Sequence, residues 1–434
     1  MNNIICSGMD GVGKTTLADK LVKKYNLNII HSTSKTRNDF NYHIDLLDYH
    51  ENTFFDRFHT GELVFPYVYN REPKLTLDEF DKITQRIIDN NDLYIIMISS
   101  DPSILIKRLQ ERGEDSAWEI ETQTKYYNQA IERVKKFNYK NFYVCDIAQP
   151  NAYEKLDKWI DEHFGKMTVN TAYRKLCKDL YEKGHVMETR NIRGGTKELC
   201  NYMFTIDDLD QEYVSLKEIN TNLTYTSAEI LWYMSSRNDT AFISKFGKMW
   251  EKLSDDGVTN NSAYGYLLQE KHGFNQIDKI CELLTVDPYS RRAVMNINVP
   301  NKNVIETKDE PCTICLIYQI RENKLHCTCM MRSNDIMFGL RNDLPYFITL
   351  QKYIANRLGK QVGTYTHMAA SIHYYDKDEK KVKDTAYGTM EQIQEKLDIP
   401  KLLENQDELI YWVDHKFTTK DDFTQLLKDK EIIK

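Results

Sequence analysis

Two groups of residues in this chain have the types and spacing to do chemistry. The first is Gly8-Met9-Asp10-Gly11-Val12-Gly13-Lys14-Thr15, which fits G-x-x-x-x-G-K-[ST]. Small glycines let successive backbone N–H groups wrap phosphate oxygens, and the N-terminus of a following helix adds partial positive charge. Lys14 would reach the β- and γ-phosphates of ATP, and the Thr15 hydroxyl would hold Mg²⁺, with Thr16 next to it at the helix start. A plain glycine turn leaves Lys14-Thr15-Thr16 unexplained. The second group lies between Asp287 and Tyr375. There Asp287-Pro288-Tyr289-Ser290-Arg291-Arg292 precedes Pro311-Cys312, then Met331-Arg332-Ser333-Asn334-Asp335, Gly339-Leu340-Arg341-Asn342-Asp343 and His373-Tyr374-Tyr375. Cys312 is the candidate nucleophile. A thiolate attacks where a thiol does not, and an adjacent cationic cluster would lower the pKa of Cys312 and raise its thiolate fraction.

The cysteines also admit a metal reading, because Cys312-x-x-Cys315 and Cys327-x-Cys329 look like two ligand pairs. Both pairs lie in β-rich runs, Thr313–Ile320 and Leu325–Met331, without the glycine turns of a zinc knuckle. Strand alternation would put Cys312 and Cys315 on opposite faces. No zinc site is expected.

The elements that must position these residues fall into two stretches. Short apolar strands are expected at Asn3–Ser7, Asn28–His31, Thr53–Phe58, Leu93–Ser99 and Asn141–Cys145, with helices at Thr16–Lys24, Leu77–Asn90 and Pro102–Glu111. That alternation predicts an α/β fold with a parallel sheet. An amphipathic helix over Ala152–His163 ends at Phe164-Gly165-Lys166, and a new helix runs to about Lys183. The seam therefore divides the chain into 1–166 and 167–434. Met167 directly after the stop fits either a fusion of two reading frames or an ordinary loop.

Length and composition agree with two domains: 434 residues, 41% hydrophobic and 28% charged, with only 9 Pro and 17 Gly. The longest strongly apolar run near a boundary, Leu93–Ile98, is far short of the roughly 20 residues of a membrane helix. The N-terminus has no basic region of the signal-peptide kind. Net charge is -7, from 58 basic and 65 acidic residues, which argues against direct nucleic-acid binding. Nine thinly spread cysteines fit reduced thiols. The expected location is the cytoplasm, the host's if the gene is a phage's, with no membrane partner.

The variant Met9-Asp10-Gly11-Val12-Gly13-Lys14-Thr15-Thr16 resembles thymidylate kinase and related deoxynucleoside monophosphate kinases, over roughly residues 1–166. The resemblance implies that Asp10 lies beside the acceptor nucleotide's sugar. It implies phosphate and metal contacts for Asp56-Arg57. A lid supplying Arg to the transferring phosphoryl would begin at Arg108 and Arg112-Gly113-Glu114-Asp115.

The ordered set in the second stretch resembles the thymidylate synthase superfamily, which implies an α+β domain over most of 167–434. In that family a thiolate adds to carbon 6 of a pyrimidine and makes carbon 5 nucleophilic, the role matched by Cys312. The resemblance assigns Arg291, Arg292, Arg332 and Ser333 to a phosphate clamp, with the Arg pair crossing a two-fold interface, and so implies a homodimer. It assigns Glu229 to water and proton transfer, Tyr264 to the reacting ring, Asp335 and Trp250 to the folate, and His373 with Tyr375 to the sugar.

Two residues depart from the synthase pattern, and Asp343 is the decisive one. Synthases carry Asn where this chain has Asp343, and that amide donates to O4 and accepts from N3–H of uracil. Cytosine presents the reverse, an acceptor at N3 and a donor at the exocyclic amine, which a carboxyl group can serve. Mismatched buried polar groups cost about 10²-fold or more. The run Met331–Asp343, with Thr313 where synthases carry His, resembles phage deoxycytidylate hydroxymethylase. That resemblance implies 5,10-methylenetetrahydrofolate as one-carbon donor. Whether hydride or water then completes the product stays open at the level of sequence.

The expectation is a bifunctional enzyme: dCMP hydroxymethylation by 167–434, and ATP- and Mg²⁺-dependent phosphorylation of a deoxynucleoside monophosphate by 1–166. Its rivals are a dUMP hydroxymethylase or thymidylate synthase fused to thymidylate kinase, and a nucleotide-sensing or dimerisation scaffold with one inactive domain.

Overall fold

A computed structural model describes residues 3–33, 35–114, 117–187, 194–301, 303–388, 392–393 and 395–434. Contacts divide the chain into two compact units, one running to Lys166 and one beginning at Met167.

The first unit is a five-stranded parallel sheet in the order β2-β3-β1-β4-β5. Its strands are β1 (Ile4–Gly8), β2 (Asn28–His31), β3 (Thr53–Asp56), β4 (Leu93–Ile98) and β5 (Phe142–Asp146). Leu93 to Met97 are all fully buried, as the inner strand of a sheet covered on both faces requires. The covering helices are α1 (Lys14–Tyr25), α2 (Phe40–Tyr49), α3 (Leu77–Asp89), α4 (Pro102–Glu111), α5 (Ile120–Lys135) and α6 (Ala152–His163). Thr76 starts α3 with a reciprocal capping box to Glu79, and Phe80, Ile83 and Ile87 form its buried stripe.

Two boundaries differ from expectation for backbone reasons. The expected strand Thr53–Phe58 stops at Asp56 because Arg57 takes a left-handed φ of 62° and turns the chain. Helix α1 begins at Lys14 rather than Thr16, directly after Gly13 with φ 88°.

The second unit opens with α7 (Val169–Lys183), which Thr168 caps. The strands of its main sheet are β6 (His185–Met187), β7 (Thr196–Ile206), β8 (Val294–Asn296), β9 (Thr313–Arg321), β10 (Lys324–Met331), β11 (Asn334–Asp335) and β12 (Gln361–Tyr375). They form one mixed sheet, ordered β8-β9-β10-β12-β7-β6, with β11 beside β12. β10 and β11 run parallel to β12, and the other pairs are antiparallel. Helices α8 (Leu223–Met234) and α9 (Tyr264–Gln269) pack on each other and, respectively, against α11 (Gly339–Arg357) and α10 (Gln276–Val286), the two of the four that lie on the sheet. Helix α8 is buried from Tyr225 to Tyr233, so it is an inner helix, apolar on nearly every side.

The β9–β10 hairpin turns at Glu322 and Asn323, with φ of 50° and 60°, between the paired residues Arg321 and Lys324. Two consecutive left-handed residues make the tight turn whose twist suits a hairpin. At the other end the register shifts between Thr313 and Cys315, against Met331 and Met330. This bulge interrupts the plain alternation expected from Cys312 to Cys315. Among the described residues no helix is long and apolar enough to cross a membrane.

Candidate active site

A buried carboxylate in an apolar helix needs partners. Glu229, 4% exposed on α8, has one in Tyr225, a turn earlier, whose hydroxyl donates to Oε1 at 2.7 Å. The indole N–H of Trp250 donates to that same hydroxyl at 2.9 Å. Trp250, expected at the folate, is only 5% exposed and faces inward to this chain of hydrogen bonds. Burial pushes Glu229 up to about 8; Asp343 adds to the rise and the Tyr225 bond opposes it.

Cys312 precedes β9, where the bulge begins. The backbone N–H of Arg332 donates to the Cys312 carbonyl at 2.9 Å, and Nη2 of the guanidinium lies 3.7 Å from Sγ. The same guanidinium donates to the carbonyls of Glu310, at 2.6 Å, and Pro311, at 3.1 Å. Asn261 steadies the preceding loop, donating to Thr307 Oγ1 at 2.9 Å and to the Asp309 carbonyl at 3.0 Å. A cavity of about 930 Å³ opens beside this segment, with Asn261, Lys308, Glu310 and Pro311 in its wall.

The expected lowering of the Cys312 pKa is corrected by the structure. Burial pushes the thiol up to about 11; Arg332 pulls it down, and Asp343, Asp309 and Asp335 push it further up. Arg291 and Arg292 do not supply the missing cations within one chain. Both are exposed, and neither side chain makes a hydrogen bond or ion pair among the described residues.

Asp343 sits in the second turn of α11. Nδ2 of Asn334 donates to its Oδ2 at 2.8 Å. Burial raises the carboxyl to about 7, Asp335 adds to the rise, and the Asn334 bond opposes it. Asp343 acts in turn on Glu229, on Cys312 and on Tyr264, so these four predicted residues form one electrostatic neighbourhood. Tyr264 is stacked between Tyr233, at 5.3 Å, and Phe347, at 5.5 Å. Asp335 accepts from the Met337 N–H at 2.9 Å, and burial raises its pKa while His373 lowers it. His373 is the register partner of Asp335 on β12, its ring edge-on to Tyr375 at 5.4 Å. Ser333, beside Arg332, is half-buried.

In the first unit the loop from Gly8 leads into α1. Gly11 and Gly13 have φ of 82° and 88°, a region that favours glycine. A Cβ on Gly8 would lie 2.3 Å from the Met97 carbonyl oxygen, so only glycine fits there. Lys14 is buried, with Nζ donating to the carbonyls of Gly8 at 2.8 Å and Met9 at 2.7 Å, and burial lowers its pKa. Thr15 and Thr16 are exposed on a first turn with no side-chain cap. Asp10 receives Gln123 Nε2 at 2.9 Å and Arg57 Nη2 at 3.5 Å. Asp56 is 3% exposed and pairs with His31 at 2.7 Å. Arg108 donates to the Gly11 carbonyl and to Tyr153, both at 3.1 Å, so it buttresses the loop. Arg112 is exposed at the end of α4, and Asp115 of the expected lid lies outside the described residues.

Sequence reasoning missed Tyr225, Asn334 and Gln123. Tyr225 stands four residues before Glu229, and Asn334 lies inside the quoted motif, so both had a spacing signal; Gln123 had none. Among the described residues no three His, Cys, Asp or Glu are gathered to hold a metal ion.

Comparison with known proteins gives a family-level match to thymidylate synthase over residues 171–418. The chain is 31% identical over 216 residues to a deoxyuridylate hydroxymethyltransferase of Bacillus phage SP01, covering 47% of this chain and 56% of the relative. It is 30% identical over 227 residues to a putative thymidylate synthase of Methanocaldococcus jannaschii, covering 49% and 90%. It is 28% identical over 203 residues to the deoxycytidylate 5-hydroxymethyltransferase of Enterobacteria phage T4, covering 44% and 75%. The chain thus spans about half the length of the SP01 relative.

Proposed function

Because the chain belongs to the thymidylate synthase family, we propose that residues 167–434 convert dCMP to 5-hydroxymethyl-dCMP. The observation that carries this reading is Asp343, a carboxyl group raised to about 7 where the synthase motif has Asn. Near neutrality it holds a proton part of the time, and so can donate to N3 of cytosine while accepting from the exocyclic amine. Cys312 adds to carbon 6, carbon 5 bonds to the one-carbon unit and gives up its proton, and the carrier would depart as tetrahydrofolate, leaving the methylene on carbon 5. Water then adds to the exocyclic methylene and Cys312 departs. Glu229, protonated below about 8, holds the proton beside that water.

Methylenetetrahydrofolate would supply the one-carbon unit. The residues present fit it: Asp335 offers a carboxylate acceptor, and exposed Phe338 offers an aromatic face beside Tyr225, 5.6 Å away. A pterin brings N–H donors on a flat ring, which suits both. Exposed Arg291 and Arg292 support a homodimer in which each pair serves the neighbouring copy's phosphate site.

For residues 1–166 the proposal is ATP-dependent phosphorylation of a deoxynucleoside monophosphate, with 5-hydroxymethyl-dCMP as the favoured acceptor. Glycines with positive φ, buried Lys14 and the uncapped first turn of α1 fit a triphosphate, and Thr15 would hold Mg²⁺. Joining the two activities on one chain raises the local concentration of the first product.

A second reading, dUMP as substrate, is favoured by the identity to deoxyuridylate hydroxymethyltransferase. Tritium release from carbon 5 of dCMP and of dUMP, with the product masses, tests both. Turnover of dUMP alone would overturn the cytosine reading. A monophosphate panel assayed for diphosphate formation tests the kinase.

A further inference from the structure

A neutral carboxyl group has one O–H donor and one carbonyl acceptor. Facing cytosine, the acceptor must meet the exocyclic amine and the donor must meet N3. Facing uracil, the donor must meet O4 and the acceptor must meet N3–H. These two arrangements differ only in which oxygen carries the proton. A carboxyl free to hold its proton on either oxygen reads both bases, so Asp343 alone does not discriminate.

Its neighbour breaks that symmetry. Asn334 Nδ2 donates to Oδ2 of Asp343 at 2.8 Å, and an oxygen accepting there is a poor place for the proton. Asn334 is 2% exposed and fixed on β11 by pairing with Ile372 of β12. The space is tight: a Cβ added to Gly339 would lie 3.1 Å from Asn334 Nδ2 and 3.6 Å from Asp343 Oδ2. Oδ1 of Asn334 is buried without a hydrogen-bond partner among the described residues. Turning the amide over would instead orphan its N–H groups, and buried donors tolerate that less well than buried carbonyl oxygens. The observed sense of the amide is the favoured one. The other ionisable groups interacting with Asp343, namely Glu229, Asp335, Cys312, Cys329, Tyr225, Tyr233, Tyr264 and Tyr365, include no cation that could draw its proton away.

We propose that Asn334 is a specificity-determining positioning residue: by donating to Oδ2 it leaves the proton of Asp343 to Oδ1, and so fixes which pyrimidine the carboxyl reads. This rests on the reading that Asp343 faces the base. It extends that reading, because the base preference then belongs to a pair of residues and not to position 343 alone.

The test is the ratio of kcat/KM for dCMP and dUMP in carbon-5 tritium release, measured on the full chain with methylenetetrahydrofolate. The variants are Asn334→Leu, Asn334→Asp and Asp343→Asn. Asn334→Leu removes the donor and is expected to move the ratio about tenfold toward unity, through KM for the preferred base. Asn334→Asp differs by one atom and presents an acceptor to Oδ2; the proton drawn there points at residue 334, the base loses its donor, and the ratio is expected to fall toward unity as well. A purely structural role would lower both rates and leave the ratio alone. If Asn334→Leu does not fold, the near-isosteric Asn334→Asp carries the test. A wild-type ratio in the Asn334 variants, with a changed ratio in Asp343→Asn, overturns the proposal and leaves the role of Asp343 standing. An unchanged ratio in Asp343→Asn as well overturns both.

Discussion

The hydroxyl of Tyr225 donates to Glu229 across 2.7 Å, and Trp250 orients that hydroxyl from behind. The bond favours the carboxylate and opposes a burial that drives Glu229 up to about 8. Tyr225→Phe removes the opposition, so the ionisation of Glu229 moves to higher pH. The pH profile of carbon-5 exchange should show its midpoint near 8 shifted upward in this variant. A profile that keeps its midpoint would dissociate Tyr225 from Glu229.

Glu229 also links stability to pH. Its folded pKa lies above the ordinary 4.5, so the folded state holds more protons between about 4.5 and 8. Stability is therefore lost as pH rises through that window. Glu229→Gln keeps the shape and removes the titration. Between pH 5 and pH 8 the variant should gain on the parent by on the order of 3–4 kcal/mol. Denaturant unfolding at the two pH values measures this.

Cys312 is raised to about 11, with Arg332 as the opposing cation. Peptide-resolved alkylation against pH should place its midpoint far above neutrality. Arg332→Gln should push that midpoint higher still. Cys312→Ala should abolish carbon-5 exchange and leave ATP-dependent phosphorylation intact.

Lys14→Met should remove phosphoryl transfer by about 10²–10³-fold, since a positioned charge is lost at the phosphates. Carbon-5 exchange in the same protein should be unchanged. Coupled diphosphate formation and tritium release on one preparation give both readouts.

Much of the first unit was legible because inner strands of a parallel sheet are unbroken apolar runs such as Leu93–Ile98. Helices α2 and α5 escaped notice, although Asp39 caps one and Ile120, Tyr127, Ile131 and Val134 stripe the other. The end of β3 was not readable, because the left-handed turn at Arg57 uses a residue that seldom adopts it. In the second unit the motif residues were visible as types in order, but their protonation was not. The thiol of Cys312 and the carboxyls of Glu229 and Asp343 are set by burial, which arises from segments more than a hundred residues apart. Tyr225 and Asn334 matter through single hydrogen bonds, and neither bond leaves a mark in composition.

The β9–β10 hairpin acts as a ruler. Its turn at Glu322–Asn323 pins one end of the register, and the bulge at Thr313–Cys315 spends one extra residue before the nucleophile. The number of residues between turn and bulge thus determines whether Cys312 meets Arg332. A residue gained or lost within β9 would turn the following side chains to the other face. Length variation in this hairpin should be tolerated only beyond its strands, making the count from turn to cysteine as much a part of the active site as the cysteine.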